Sequence, residues 1–326
     1  MTTVLDQEST EPGPVGPAAQ YEAAAKRWPT IGSVSIVIPA LNEEENLGPV
    51  MATIPYDELA AAGCDLEVIV IDNASGDGTV EAVGEGFPWV RLVAAPGNIG
   101  FAAASNRGID LASGDHVLLL NPDTLTPRGS LRKAVEALDE RPEVGMLGCR
   151  LLQPDGSLDH AAKRGFPTPS SALAYFTGLS RLRPRSPRLA RYTAGHLSPD
   201  EPAMVDAVNG AFMLVRPEAL AQVGPLDEDF WLYMEDLDWC YRFWEADWPV
   251  LYWPGAEVVH VKGGSATKNR SWAANRAFHR GMWLFYRKHY LPSRSPLVSG
   301  LVWLGVWGKL GVSALRSLAA RRGAAR

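Results

Sequence analysis

The chain has 326 residues, 46% hydrophobic and 21% charged, enough apolar sequence for a large core, which excludes a disordered or collagen-like protein. Cys64, Cys149 and Cys240 are far apart and lack CxxC or Cys/His ligand spacing, which argues against a disulfide framework and a zinc site and favours a reducing cytoplasm. The net charge of −6 is uneven, since from Val258 onward there are thirteen Lys/Arg and no Asp/Glu, a pattern suited to an anionic surface.

Residues 1–32 are acidic and Pro/Gly-rich and are expected to form a disordered tail, with no secretory signal. Val34–Ala40 reads as a buried strand, and LNEEENL after it opens a helix with Glu43, Glu44 and Glu45 in its first turn. Leu66–Ile71 repeats the plan, with Asp72 at the strand end and a turn of Asn73, Ser75, Gly76, Asp77 and Gly78. Val90–Ala95 is a third strand, and Pro96–Ala112 turns into a helix rich in small residues. Val117–Leu120 is a strand buried on both faces. Pro122 must end it, leaving Asp123 at the carboxyl edge, where open α/β sheets bind ligands. A carboxylate there is a candidate ligand for a hard divalent cation carrying a phosphate. The same Asn-Pro-Asp also reads as a plain turn, with Asp123 or Thr124 capping a helix.

Strands alternating with helices in this rhythm predict a mostly parallel, three-layer α/β sheet. No GxGxxG follows the first strand and no GxxxxGK[ST] occurs, which removes the dinucleotide-binding and P-loop readings. The sheet shows carboxylates to its ligand, and carboxylates need a metal to hold phosphates.

Helix Ser130–Glu140 and strand Val144–Cys149 follow, and then Gln153–Pro202 becomes Pro-, Ser- and Arg-rich, with Arg181, Arg183, Arg185, Arg188 and Arg191 close together. This stretch reads as an excursion over the active face, either a lid or binding loop or a solvated insert. Val208–Leu220 holds a strand after Asn209-Gly210 and a helix started at Pro217. Met234–Ala246 has helical spacing, which pairs Asp238 with Arg242 as a surface salt bridge and places Asp236 on the stripe of Cys240 and Phe243. A buried carboxylate without a partner becomes more basic, as a general base requires; one satisfied by backbone or arginine is the alternative. In AEVVHVKGG, an alternating strand, His260 faces opposite to Val259 and Val261, as a packed histidine or as a ligand.

PALNEEENL, IDNASGDGT, GNIGFAAASNRG, LLLNPD, FWLYMEDLDWCYR and VVHVKGGS, in this order, resemble the inverting nucleotide-sugar glycosyltransferases of family 2, of GT-A fold, and in particular their rhamnosyltransferase-like branch. The resemblance spans roughly Ser33–Tyr290. It implies that Asp72 contacts the nucleoside, that Asn121-Pro122-Asp123 stands in the place of the family's DxD with Asp123 a ligand for Mg²⁺ or Mn²⁺, and that Asp236, beside Glu235, is the base. It further implies donor contacts at Pro39, Ala40, Asn42, Glu44, Asn73, Asn98, Gly100, Asn106 and Asn121, and acceptor contacts at Asn209, Gly210 and Trp231. His260 is implied as a second metal ligand and Lys262 as a diphosphate contact. Asn121 departs from a strict DxD, which weakens the expected hold on the metal.

The implied domains are a catalytic domain over 33–262, with a nucleotide-sugar half (33–150) and an acceptor half (151–262), and a basic helical region over 263–326. Trp272–Tyr290 is an aromatic, basic helix. In Pro296–Leu318 only the twelve residues Leu297–Gly308 are uncharged before Lys309, fewer than the roughly 20 apolar residues of an ordinary span. Lys309, Ser313 and Arg316 form one stripe, with Trp303, Trp307 and leucines elsewhere, which predicts a helix lying in the interface of an anionic inner membrane; a packed helix or a homodimer interface is the alternative. The expected partners are thus a nucleotide sugar, favoured as dTDP-L-rhamnose over a UDP-hexose, a polyprenyl-diphosphate-linked or polysaccharide acceptor, and an anionic membrane, with no nucleic acid. A catalytically inactive sugar-binding module is the reading from another class.

Overall fold

The computed structural model describes residues 32–61, 63–261 and 271–324, so residues 1–31 of the expected tail and Lys262 lie outside the described residues. Strands β1 (Ser33–Ala40), β2 (Asp65–Asp72), β3 (Arg91–Ala94) and β4 (His116–Leu120) lie in the order β3-β2-β1-β4, all parallel. Every residue of β1 and β4 is buried, as the apolar runs Ile36–Ala40 and Val117–Leu120 require of strands covered on both faces. The covering helices are α1 (Glu44–Thr53), α2 (Tyr56–Ala61), α3 (Thr79–Gly86) and α4 (Phe101–Leu111). Gly108 of α4 lets that helix close on the sheet, because a Cβ there would stand 2.2 Å from Val37 Cγ1.

The second half departs from the predicted parallel plan. A two-residue β5 (Thr124–Leu125) is followed by α5 (Ser130–Asp139) and β6 (Met146–Leu152). β10 (Phe212–Val215) then inserts antiparallel between β4 and β6. The physical reason is where the chain arrives: it re-enters the sheet at the carboxyl edge, with Phe212 opposite Leu120, and must run back. β11 (Val250–His260) closes the sheet, parallel to β6 and antiparallel to β5 and to β8 (Ala203–Met204). Asp123 and Thr124 therefore cap no helix; Thr124 pairs with His260 across β5 and β11.

The Arg-rich excursion is built scaffold and not a solvated insert. Lys163 is buried and donates to the carbonyls of Ala194 (2.8 Å) and Leu197 (3.0 Å). β7 (Lys163–Arg164) pairs antiparallel with β9 (Ala207–Val208). After it come α6 (Pro169–Phe176), started by Pro169 and capped by Thr168, whose side chain accepts from Ser171 N, and a single turn α7 (Leu179–Leu182).

Helices α8 (Pro217–Val223), α9 (Glu235–Glu245), α10 (Trp272–His289) and α11 (Pro296–Ala324) complete the chain. Leu284, Phe285 and Tyr286 of α10 belong to the main core, so this helix packs as part of the same body as the sheet. α11 lies on α10 through the Tyr286 hydroxyl and Ser299 (3.0 Å), buried Val306, and Asn275, which donates to Ser313 Oγ at 2.9 Å. Two expectations for α11 change. The helix runs on through Lys309, so Pro296–Arg316 is 21 residues long and, by length and composition, apolar enough to cross a membrane, with little of it buried. Two members of the polar stripe also touch the protein: Ser313 bonds to α10, and Lys309 Nζ sits 3.4 Å from the centre of the Phe176 ring, while Arg316 stays exposed.

Candidate active site

β1 and β2 end in register, Ala40 opposite Asp72, and Asn73 N donates to Ala40 O at 2.8 Å. Pro39, Ala40 and the buried Asp72 thus meet at one point of the carboxyl edge. Both Asp72 oxygens accept from Ser75 N, at 3.3 and 3.2 Å. Asn42, in the left-handed region at φ 58°, accepts from Gly76 N at 2.7 Å, and Glu44 accepts from Gly78 N at 3.0 Å. These two side chains lace the turns after β1 and β2 together.

Asn73 joins that edge to the start of α4. Its amide donates to Asn98 Oδ1 and to Gly100 O, both at 3.2 Å, and its oxygen accepts from Ile99 N at 2.9 Å. Gly100 has φ +91°, and a Cβ there would stand 2.5 Å from Trp231 Cδ1, so glycine is required on both counts. The Trp231 carbonyl accepts from Phe101 N at 2.8 Å, while the Trp231 side chain stays partly exposed. Asn106 bonds elsewhere: its amide group joins Leu226 N, Leu226 O and Glu228 and ties α4 to that loop, a scaffold position apart from the expected donor contacts.

Pairing of β5 with β11 decides the next group. Val261 N donates to Asp123 O at 2.8 Å, and His260 Nε2 lies 3.2 Å from Asp123 Oδ1. The other ring nitrogen, Nδ1, lies 3.2 Å from Asp159 Oδ2, and Asp159 is fully buried. Asp159 was not foreseen from sequence. Its signal was the Pro154-Asp155-Gly156 turn, which bends the chain back so that Leu158 bridges Leu152 and Asp159 N reaches Leu151 O. Next to these groups Asn121 Oδ1 is buried with no hydrogen-bond partner among the described residues. Among the described residues no three His, Cys, Asp or Glu side chains converge as a ready-made metal cage. One carboxylate, one imidazole and an unsatisfied amide oxygen do fit a hard cation that is held mainly by a diphosphate.

Asp236, the second residue of α9, lies close to that group through the backbone. Asn121 N donates to Ala211 O at 3.1 Å, and the neighbouring Gly210 N donates to Asp236 Oδ2 at 3.3 Å. Asn209, in the same turn, accepts from Ala211 N at 2.9 Å. The partner expected to be missing is present: Arg164 Nη2 pairs with Asp236 Oδ2 and also donates to Val208 O at 2.8 Å, and Leu237 N donates to Asp236 Oδ1 at 2.8 Å. Burial works against the Arg164 charge more than any other single influence, but the charge and hydrogen bond of Asp236 together with Tyr192 and Cys240 outweigh it and hold the guanidinium firmly protonated. The carboxyl that burial does raise is Glu235, pushed up to about 8, with the Asp236 charge adding to the effect; its Oε2 is buried without a partner among the described residues.

The residue expected on the surface is inside. Asp238 is buried, accepts from Arg242 Nε at 2.9 Å and lies 2.7 Å from His289 Nε2 of α10. The i,i+4 spacing of Asp238 and Arg242 does not encode α10, the helix whose His289 covers this face. Just before α9, Tyr233 (φ 67°) and Met234 (φ 75°) are both left-handed, an uncommon pair for side-chain-bearing residues. A Cβ on Gly281 of α10 would stand 2.8 Å from Tyr233 O, so that glycine lets α10 cover this turn closely.

Residues 35–195 match the family model described as Glycosyl transferase family 2. The chain is 31% identical over 261 residues to N-acetylglucosaminyl-diphospho-decaprenol L-rhamnosyltransferase of Mycobacterium tuberculosis, covering 76% of this chain and 83% of that one. Among solved structures it is similar to the mannosyltransferase PcManGT from Pyrobaculum calidifontis in complex with GDP-Man and Mn²⁺, at 20% identity and a TM-score of 0.53, over 93% of this chain and 83% of that one. Staphylococcus aureus TarS is similar at 15% identity and a TM-score of 0.50, over 84% of this chain but 43% of that one. The fold is GT-A, and the chain belongs to glycosyl transferase family 2.

Proposed function

We propose that this family 2 glycosyltransferase transfers L-rhamnose, with inversion, from dTDP-L-rhamnose to a polyprenyl-diphosphate-linked N-acetylglucosamine at the inner face of the membrane. The likeness to the mycobacterial rhamnosyltransferase supports this donor and acceptor, and a UDP-hexose donor is the variant reading. The observation that carries the chemistry is the short backbone path Asn121–Ala211–Gly210–Asp236, which sets a carboxylate beside the Asn121-Pro122-Asp123 edge.

In this reading Asp72, Asn73 and the turn bearing Asn42 and Glu44 receive the nucleoside. Asp123, His260 and Asn121 would hold Mg²⁺ or Mn²⁺, which supplies Lewis-acid stabilisation of charge on the departing diphosphate. Asp159 fixes the His260 ring, the usual task of a carboxylate behind a ligating histidine. Asp236 takes the proton of the acceptor hydroxyl as that hydroxyl attacks the anomeric carbon, while Trp231, Asn209 and Gly210 border the acceptor. Arg164 keeps Asp236 oriented. α11 serves as the membrane address, held by its apolar length and the acid-free basic carboxyl end.

The test is product analysis with a panel of nucleotide sugars and a short-chain GlcNAc-diphosphate lipid. An α-configured product from a β-configured donor, or the reverse, and turnover with dTDP-L-rhamnose are expected. Retention of configuration would overturn the mechanism, turnover with UDP-hexoses alone would replace the donor, and binding without turnover would leave a sugar-binding module.

A further inference from the structure

Two parts of the chain far apart in sequence expose leucines where a water-soluble surface would show polar groups. On α11, Leu297, Leu301, Leu304, Val312 and Leu315 are exposed, and their spacing of three, four, seven or eight residues aligns them on one helical face. That face is opposite to the one that Ser299, Val306 and Ser313 turn to α10. On α6 and α7 the layout is likewise inverted: Ser171 and Ala174 are buried, while Leu173, Leu179 and Leu182 are exposed, Leu182 by 77%.

These leucines are held out by rigid structure. α6 is capped by Thr168, Ser171 Oγ donates to Phe166 O at 3.0 Å, and Tyr175 meets Tyr192 edge-on with ring centres 4.9 Å apart. The two parts are joined where Lys309 of α11 lies on the Phe176 ring of α6. Charge points the same way. Arg181, Arg183, Arg185 and Arg188 are all exposed beside the α7 leucines, and no Asp or Glu occurs over residues 160–199 or after Glu257. An apolar face bordered by arginines and free of acidic groups complements an anionic bilayer, with leucines below the headgroups and guanidinium groups among them.

We propose that α6, α7 and α11 form one membrane-docking surface, in which the Leu173–Leu182 edge enters an anionic bilayer alongside the leucine face of α11. This rests on the reading of α11 as a membrane address and extends it to a segment that begins five residues after Arg164, the partner of Asp236. The catalytic carboxylate is thereby fixed at a set height above the lipid, where a lipid-linked acceptor presents its sugar.

The experiment is flotation of the full chain with vesicles of phosphatidylcholine, alone or mixed with phosphatidylglycerol, at low and high salt. Leu179→Glu/Leu182→Glu and Leu301→Glu/Leu304→Glu are compared with the parent protein, with melting temperature and turnover of a water-soluble acceptor as controls for folding. Both pairs change exposed side chains and should melt like the parent, yet each should cut the bound fraction at anionic vesicles about tenfold or more. If only the α11 pair is released, the docking role of α6 and α7 is wrong and the α11 address stands alone. No flotation of the parent protein overturns both. A parent dimer that either pair converts to monomer, without flotation, would give the face to a second copy of the chain.

Discussion

Arg164 and Asp236, 72 residues apart, form a nearly buried ion pair at the start of α9, with the Val208 carbonyl as the guanidinium's second acceptor. The pair fixes the side chain assigned to take the acceptor proton. Asp236→Asn keeps the shape but removes the base, so kcat should fall by about 10²–10⁴ while donor affinity holds. Steady-state kinetics and donor titration on the same protein check this. A matching loss of donor affinity would assign Asp236 to binding. Some loss in melting temperature accompanies the change, because Arg164 is left buried with its counter-charge gone.

Asp238 gives the opposite pattern. It joins Arg242 and His289 inside the protein, and Arg242 also reaches the Val223 and Pro225 carbonyls at 3.0 and 2.7 Å. Asp238→Asn should therefore destabilise the fold by about 3–5 kcal/mol, the usual cost of breaking a buried charge network. Chemical denaturation should show the lower midpoint, and kcat of the remaining folded protein should be little changed.

The edge group is tested through binding. Asp123→Ala should abolish the Mn²⁺-dependent part of nucleoside-diphosphate affinity, and Asp159→Asn should weaken it by about 10–100-fold through loss of the His260 orientation. Calorimetric titrations in Mn²⁺ and in EDTA separate the two. Equal affinity in both media for the parent protein would remove the metal from the proposal.

Glu235 links stability to pH. Its folded value of about 8 lies above its ordinary 4.5, so the folded state keeps a proton that the unfolded chain gives up. Stability should fall as pH rises from about 4.5 to about 8 and level off above that. Glu235→Gln removes this contribution, and its melting temperature should vary less with pH across the window than that of the parent. Identical pH profiles would show that Glu235 stays ionised.

The elements of the amino-terminal half were legible because each strand is rich in apolar residues and closed by a turn signal, and Asp72 and Asp123 stand at those ends. Asp236 was legible as a carboxylate on the Cys240 and Phe243 stripe. Arg164, Asp159 and the burial of Asp238 were not, because each depends on a contact between segments 51 to 101 residues apart that no local period encodes. The excursion hid two of the three: its Pro, Ser and Arg composition looks like loop, while its order comes from hydrogen bonds to distant carbonyls such as those that hold Lys163.

The left-handed turn at Tyr233 and Met234, held under Gly281, sets an order of events during synthesis. Backbone in that region costs about 1–3 kcal/mol per residue and persists only when neighbouring structure holds it. The neighbour is α10, which leaves the ribosome after every strand of the sheet. A nascent chain can therefore complete β1 to β4 early while the carboxylates of α9 remain unset until α10 has emerged, shortly before α11, the helix proposed as the membrane address. Chains stalled after Val261 should bind nucleotide yet fail to transfer sugar.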